Sequence, residues 1–477
     1  MPDRDLCFVP ATELRHLYRT RKASPLEVMQ AVFARIDAVN PRVNAYVTLA
    51  REQALTSARK ATAALARKGA PLGPLHGVPV SIKDNLWTAG DRTTSGSRLL
   101  AEFVPPEDTP SVAGLRAAGA ILVGRTNLPE FAWRGSTDNP LFGVSRNPWD
   151  LTCTPGGSTG GGAAAVAAGL GPLALGSDGA GSIRIPASFC GLVGLKPTFG
   201  RVPMYPAAGG NELVAHVCPL ARTVRDVALL MNVTARYDRR DQFALPDDGV
   251  DYLAACDEPL IGATPVRIAW SANLGFAPVE PETREICAAA ARAVTEVGLR
   301  VEEASPDLGD PSWILQTLYG GAQAGAHAAR AAEQKAQMDP ALVAYAEASA
   351  SLTVVEYLRA VAARQGLVDV LRRFFERYDL LLTPTLGLPA FPLGLVGPRE
   401  VAGREVTHLG WTLCYPFNYS GQPAISVPAG WTASGLPVGL QIIGRRLEDA
   451  LVLRAAAAFE AIRPWAARRP TEAGHIV

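Results

Sequence analysis

The chain has 477 residues, 48% of them hydrophobic and 19% charged. That supplies a core and excludes a disordered chain, which would be poor in apolar residues and high in net charge. Forty-six basic residues against forty-five acidic ones leave a net charge of +1, no electrostatic footprint for nucleic acid or an anionic membrane surface.

The N-terminus, Met-Pro-Asp-Arg-Asp-Leu, lacks the apolar segment of a secretory signal. The longest uncharged run, Gly160 to Gly176, is built from Ala and Gly, interrupted by Pro172, and too weakly hydrophobic to span a bilayer. A soluble, cytoplasmic protein without a membrane partner is expected. Seven scattered cysteines form no C-x-x-C pair, and no two of the six histidines lie within ten residues of each other. Neither a disulfide framework nor a helical metal motif is indicated, so no metal site is expected.

Residues 1–70 read as helical. Ser24-Pro25-Leu26-Glu27 is a capping box with proline at the first helical position, and Asn40-Pro41 is expected to stop that helix. An alanine-rich helix is expected from about Leu49 to Arg67. Gly77 to Asn85 then alternates as a strand, with Val78, Val80 and Ile82 on one face and Ser81 and Lys83 on the other. A helix over Thr109–Ala118 and a strand over Ile121–Gly124 follow. Residues 135–162 are a long ordered-loop candidate. Further on come a helix at 163–170, a strand at Leu173–Gly176, a polar linker candidate at 237–251, a strand at Val266–Trp270 and a helix at 280–297. Long helices over 320–376 precede strands at Leu380–Thr385, Ala424–Val427 and Val438–Ile443. Mixed strands and helices over this length predict one large α/β layer architecture.

Three features carry chemistry. Only six of the 46 basic residues are lysine, and of these Lys83 and Lys196 sit in apolar, Gly/Pro-rich surroundings. Arginine stays protonated where lysine can lose its proton on burial, so a buried neutral amine has to be lysine. A plain pairing of Lys83 with Asp84 is the alternative. The second feature is Thr154-Pro-Gly-Gly-Ser-Thr-Gly-Gly-Gly162, opening into an alanine-rich helix. It reads as a phosphate cradle at a helix N-terminus, as an active-site loop with Ser158 and Thr159 as hydroxyl relays, or as close helix packing. Neither the Walker pattern nor G-x-G-x-x-G is matched. The third is Gly179-Ala-Gly-Ser-Ile-Arg184, a serine after a run of free backbone N–H groups, as a nucleophile beside an oxyanion hole requires.

Taken together, the chain resembles the amidase signature enzymes. The resemblance rests on PGGSTGGGAAAVAAGLGPLALGSDGAGSIRIPASFCGLVGLKPTFGR (155–201), HGVPVSIKDN (76–85), FGVSRNPWD (142–150), LLTPT (381–385) and FNYSGQPAISVPAG (417–430), so it covers nearly the whole chain. It implies a single amidase domain over 1–477, with an N-terminal helical part (1–70), a signature core (76–226) and a variable C-terminal part (250–477). The implied fold is a large mixed central β-sheet covered by helices on both faces. It also implies a Ser–cis-Ser–Lys triad: Lys83 of I-K-D-N as base, Ser158 after a cis Gly157–Ser158 bond as relay, and Ser182 as nucleophile. The two serines are 24 residues apart, the family's spacing. For Lys83 to be neutral its pKa must fall from about 10.4 toward 7, within what burial does. The N–H groups of Gly179, Ala180, Gly181 and Ser182 are the implied oxyanion hole, with Thr159, Asp178 and Arg184 in support and no cofactor. Lys196 resembles the family's structural K-P-T turn, and Tyr415, Asn418 and Gln422 lie in a segment implied to border the site.

Two departures from the family pattern stand out. Thr159 replaces a second serine, and its methyl is expected to narrow the site. Ala180 replaces glycine, and its Cβ would restrict any conformation with positive φ. The implied activity is hydrolysis of carboxylic amides, aryl or oligomeric, with esters and carbamates as further substrates. The segment 213–226 looks more like stand-alone amidases, including the 6-aminohexanoate cyclic-dimer (nylon-oligomer) hydrolase branch, than like the family's glutamine-using subunits. The implied partners are a small-molecule amide and water, and a homodimer is compatible with this. Rival readings are a glutamine amidotransferase subunit delivering ammonia to a partner, a nucleotide-binding module, and a non-catalytic relative. Specificity is expected from loops near 204–216 and 311–330.

Overall fold

The computed structural model describes residues 6–67, 69, 72–207, 213–260 and 266–470. Residues 208–212 of the expected specificity loop, and His475, lie outside them. Eleven strands among the described residues form one mixed sheet. In chain order they are β1 (Tyr46–Leu49), β2 (Pro79–Lys83), β3 (Ile121–Thr126), β4 (Leu173–Asp178), β5 (Val193–Lys196), β6 (His216–Ala221), β7 (Ile268–Trp270), β8 (Val301–Glu303), β9 (Leu380–Pro384), β10 (Ala424–Trp431) and β11 (Pro437–Gly444). Their spatial order is β1-β3-β2-β4-β6-β5-β10-β11-β9-β7-β8. The β3-β2-β4 and β9-β7-β8 neighbours are parallel and the other pairs antiparallel.

Both faces of the sheet are covered. All five residues of β2 are buried, although only Val80 and Ile82 are apolar at the expected alternating positions. Together with Val78 they join a cluster that includes Leu14, Val28, Val32, Val112 and Leu115 from the N-terminal helices. The polar face, Ser81 and Lys83, turns to the other side, where the wholly buried helix Gly160–Ala167 lies.

Several elements differ from expectation. The capping box at Ser24 and Glu27 forms, but that helix continues through Pro41 to Val43. It ends where Asn44 turns left-handed (φ 48°), and Asn40 Oδ1 accepts the N–H groups of Ala45 and Tyr46. The Asn40 side chain thus ends the helix, and Pro41 removes one i→i−4 hydrogen bond without stopping it. Residues 46–49 form edge strand β1, so the next helix begins only at Arg51. The stretch 237–251 does not act as a free linker. Arg240 bonds Glu107, the Met204 N–H donates to Asp241, and the Leu245 N–H donates to Gly200 O, so its polarity is spent on the body of the protein. The long helices expected over 320–376 are Ser312–His327, Pro340–Ser349 and Val354–Arg377, so the first begins earlier than expected, and the one-turn helix Ala332–Lys335 lies between the first two.

Candidate active site

The parallel strands β2 and β4 pair Ile82 with Leu175, so their C-terminal ends bring Lys83 beside Ser177. Crevices at the carboxyl ends of parallel strands are where open α/β sheets bind ligands. Here Lys83 is fully buried, and its Nζ donates to Ser158 Oγ at 2.7 Å and to Ser177 Oγ at 2.9 Å. Burial lowers the Lys83 pKa to about 7, opposed by the negative charge of Asp178. The Asp84 alternative does not hold. Asp84 instead faces Arg125 and accepts from Thr94, a separate buried pair that ties the end of β2 to β3.

Ser158 follows a cis Gly157–Ser158 peptide and is buried. The helix it leads into has no space for side chains at its start. A Cβ on Gly161 would lie 2.4 Å from Asn127 N and 2.6 Å from Ala45 O. The Gly161 N–H donates to Asn127 O. The glycines therefore serve close packing around Ser158, and the phosphate-cradle expectation loses this donor to the protein.

Ser182 is partly exposed and opens the turn after β4. Its hydroxyl has no hydrogen-bond partner among the described residues, while its carbonyl accepts from the Thr159 N–H at 3.1 Å. The turn is built on Asp178, which accepts from Gly181 N at 2.7 Å and Ile183 N at 3.3 Å. Arg184 holds the same carboxylate through Nε at 2.9 Å and Nη2 at 3.1 Å. Burial would raise the Asp178 pKa, but the Arg184 charge and hydrogen bonds from Arg184 and Asn418 hold it below the usual carboxylate range. Arg184 also reaches Cys414 O and Gln441 Oε1. Asn418 Nδ2 bonds the Asp178 carbonyl and carboxylate and Val214 O.

Four points depart from the sequence reading. The Gly181 N–H is engaged by Asp178, so it is not free for an oxyanion; Gly179, Ala180 and Ser182 line the cavity. Gly181 itself sits at φ 124°, with Cys414 2.9 Å from any added Cβ, so this is the position in the turn that demands glycine. Ala180 is not among the residues with positive φ, so its Cβ restricts nothing. Thr159 does not narrow the site. It is fully buried, its methyl occupies the space over Gly176 and Gly162, and its hydroxyl donates to Ser177 O at 3.2 Å. Of the bordering segment, Asn418 joins the Asp178–Arg184 network, whereas Tyr415 and Gln422 do not line the cavity.

Sequence reasoning missed Ser177, the second acceptor for Lys83. Its signal is positional: it is the hydroxyl residue at the end of the strand that pairs in parallel with the lysine strand.

Lys196 is also fully buried, and burial followed by the nearby Arg184 charge lowers its pKa to about 7. Its Nζ is held by Pro197 O, Gln422 O and His216 Nε2, which fits the expected structural role. Cys190 is buried against Pro155 O, and burial raises its thiol pKa, the state of an inert packing residue.

A cavity of about 370 Å³ opens above these groups, lined by Ser158, Ser177 and Ser182 and by Trp87, Phe131, Trp133, Tyr205 and Tyr319. Met204 to Ala207 and Ala215 form one wall and Tyr319 to Arg330 another, so both expected specificity segments reach it. Among the described residues no cluster of three or more His, Cys, Asp or Glu could hold a metal ion, and no helix is long and apolar enough to cross a membrane.

Residues 27–453 match the model of the Amidase family. The acylamidase of Rhodococcus erythropolis is 41% identical, over 99% of this chain and 99% of its own length. A glutamyl-tRNA(Gln) amidotransferase subunit, that of Moorella thermoacetica, is 39% identical, over 98% and 99%. Among solved structures, a bacterial aryl acylamidase of the amidase signature family superposes with a TM-score of 0.89 at 32% identity, covering 96% of this chain and 97% of the other. The 6-aminohexanoate cyclic dimer hydrolase complexed with substrate gives 0.86 at 32% identity, covering 98% and 99%. The chain belongs to the amidase signature family. It is an amidase-family hydrolase, and the large mixed sheet between helical layers is the fold of that family.

Proposed function

We propose that the protein hydrolyses carboxylic amides through an acyl-enzyme on Ser182, with Ser158 as proton relay and Lys83 as base. The observation that carries this reading is the 2.7 Å contact of Lys83 Nζ with Ser158 Oγ, fully buried beneath the cavity that Ser182 lines. Ser182 Oγ attacks the amide carbon while its proton passes to Ser158, whose own proton passes to the neutral Lys83 amine. The tetrahedral oxyanion accepts from the free N–H groups of Gly179, Ala180 and Ser182, which need no reorganisation as charge develops. Collapse breaks the C–N bond, and the relay run backward protonates the leaving amine. Water then attacks the acyl ester by the same route and restores Ser182.

The aromatic walls suit amides with an apolar or aryl arm, and the relatives named acylamidase and aryl acylamidase support that choice. The amidotransferase reading has similar relatives. Glutamine carries an α-ammonium, however, and the described residues lining the cavity include no aspartate or glutamate to receive it. A buried ammonium without a partner is strongly disfavoured, so stand-alone amide hydrolysis is the better reading.

The test is intact mass after treatment with a fluorophosphonate, on wild type and Ser182→Ala, beside turnover of an anilide panel and glutamine. One adduct lost in the variant, with anilides cleaved and glutamine not, is the expected result. An adduct that persists in the variant means another nucleophile, and glutamine as the best substrate would restore the amidotransferase reading.

A further inference from the structure

The cavity's ionisable groups are unbalanced. Its described lining contains Arg134, His327 and Arg330 and no aspartate or glutamate. Arg134 is neutralised by Asp138 at 2.5 Å and Asp339 at 3.3 Å. Arg330 has no carboxylate within 4 Å among the described residues, although it lines the same cavity as Ser182.

Arg330 is nevertheless held in place. Its Nε donates to His327 Nδ1 at 3.2 Å, and its guanidinium carbon lies 5.6 Å from the centre of the Phe131 ring. His327 is itself buried, with its ring 4.8 Å from Phe131. Burial, then the Arg330 charge, lowers the His327 pKa to about 4, so near neutral pH its ring nitrogen is free to accept. The segment carrying Phe131 is pinned by the buried Glu130, which accepts from Ser97 Oγ at 2.6 Å and from the Asp339 N–H at 2.5 Å. Glu130 feels the Arg330 charge only at longer range and forms no ion pair with it. Only Nε of Arg330 is engaged, and both Nη groups lack a protein acceptor among the described residues. A fixed guanidinium with two free Nη donors matches a carboxylate in geometry and charge.

We propose that Arg330, oriented by His327 and Phe131, is a specificity residue that receives a carboxylate on the arm of the amide remote from the scissile bond. This rests on the amide-hydrolase reading above and narrows it to amides of amino acids or of dicarboxylic acids, including linear oligomers that end in a carboxylate. Cationic arms are disfavoured by the same charge.

Two matched pairs test it: glutaric acid monoanilide against pentananilide, and N-hexanoyl-6-aminohexanoate against N-hexylhexanamide. They place the carboxylate on the acyl or the amine arm, insulated from the reacting bond. Wild type should favour the charged member of one pair by about tenfold or more in kcat/KM, mainly through KM. Arg330→Met should abolish that preference through a rise in KM for the charged member, and Arg330→Lys should retain part of it. Should Arg330→Met fold poorly, wild-type inhibition by 4-phenylbutyrate against 4-phenylbutanol reads the same site, with the carboxylate expected to be the stronger inhibitor. Equal kcat/KM within both pairs, or a preference unchanged in Arg330→Met, overturns the proposal while the hydrolase reading stands. No turnover of any amide and no Ser182 adduct overturns both.

Discussion

Lys83 Nζ donates to Ser158 Oγ at 2.7 Å from a fully buried position, and burial brings its pKa down to about 7. As the proposed base, Lys83 acts only when unprotonated, so kcat/KM should rise with pH through about 7 and fall on the acid side as the amine takes up a proton. A pH–rate profile on a neutral anilide checks this. Lys83→Ala should lose about 10²–10⁴-fold in kcat/KM. Lys83→Arg should be as inactive at every pH below about 10, because a guanidinium keeps its proton.

Ser177 is the second acceptor of the Lys83 amine, at 2.9 Å, and also takes a weaker contact from Asn85 Nδ2 at 3.4 Å. Ser177→Ala should leave the fold intact and lower kcat by about tenfold, the cost of one hydrogen bond to an ionisable group. It should also move the acid limb of the pH profile, because the amine loses a partner. An unchanged profile would return Ser177 to a packing role.

Asp178 and Arg184 are both fully buried and hold the turn that carries Ser182. Removing one partner leaves the other charge unpaired, so Asp178→Asn should destabilise the protein by about 3–5 kcal/mol, read by denaturant unfolding. The Asp178 pKa lies below its unfolded value. Its contribution to stability is therefore present above the unfolded carboxylate pKa of about 3.9 and is lost as pH falls below it. The wild type should lose this share of its stability on acidification, and the variant should not.

Gly161 and Thr159 separate packing from chemistry. Gly161→Ala places a Cβ 2.4 Å from Asn127 N, against backbone that cannot yield cheaply, and should cost about 1–3 kcal/mol and disturb Ser158. Thr159→Ser keeps the hydroxyl that reaches Ser177 O and removes only a buried methyl. It should cost about 1 kcal/mol of stability with kcat/KM nearly unchanged. A large gain for bulky substrates in Thr159→Ser would instead mean that the methyl does reach the cavity.

Much of this is legible in the amino-acid sequence itself. Alternation put Val80 and Ile82 on one face of a strand and Lys83 on the other, because side chains on a strand alternate strictly. The capping box at Ser24 was readable because its bonds are local. The family pattern supplied Ser158 and Ser182 with their spacing. Other features lay beyond sequence reasoning because they depend on which distant segments meet. Edge strand β1 exists because residues 46–49 pair with β3, far along the chain. Ser177 matters because β2 and β4 lie side by side in parallel register. The Gly181 amide is lost to the expected oxyanion set because Asp178 folds back on it, and the Thr159 methyl stays out of the cavity because Gly176 and Gly162 make room for it. Arg330 is one of forty arginines in the sequence, distinguished by a cavity whose described lining holds no carboxylate and by the histidine that aims it. The sequence by itself determined the residue types, the elements with strong periodicity and the family. The tertiary structure decided which of those groups are buried, paired or left free, since desolvation and pairing are properties of the packed neighbourhood and not of the residue.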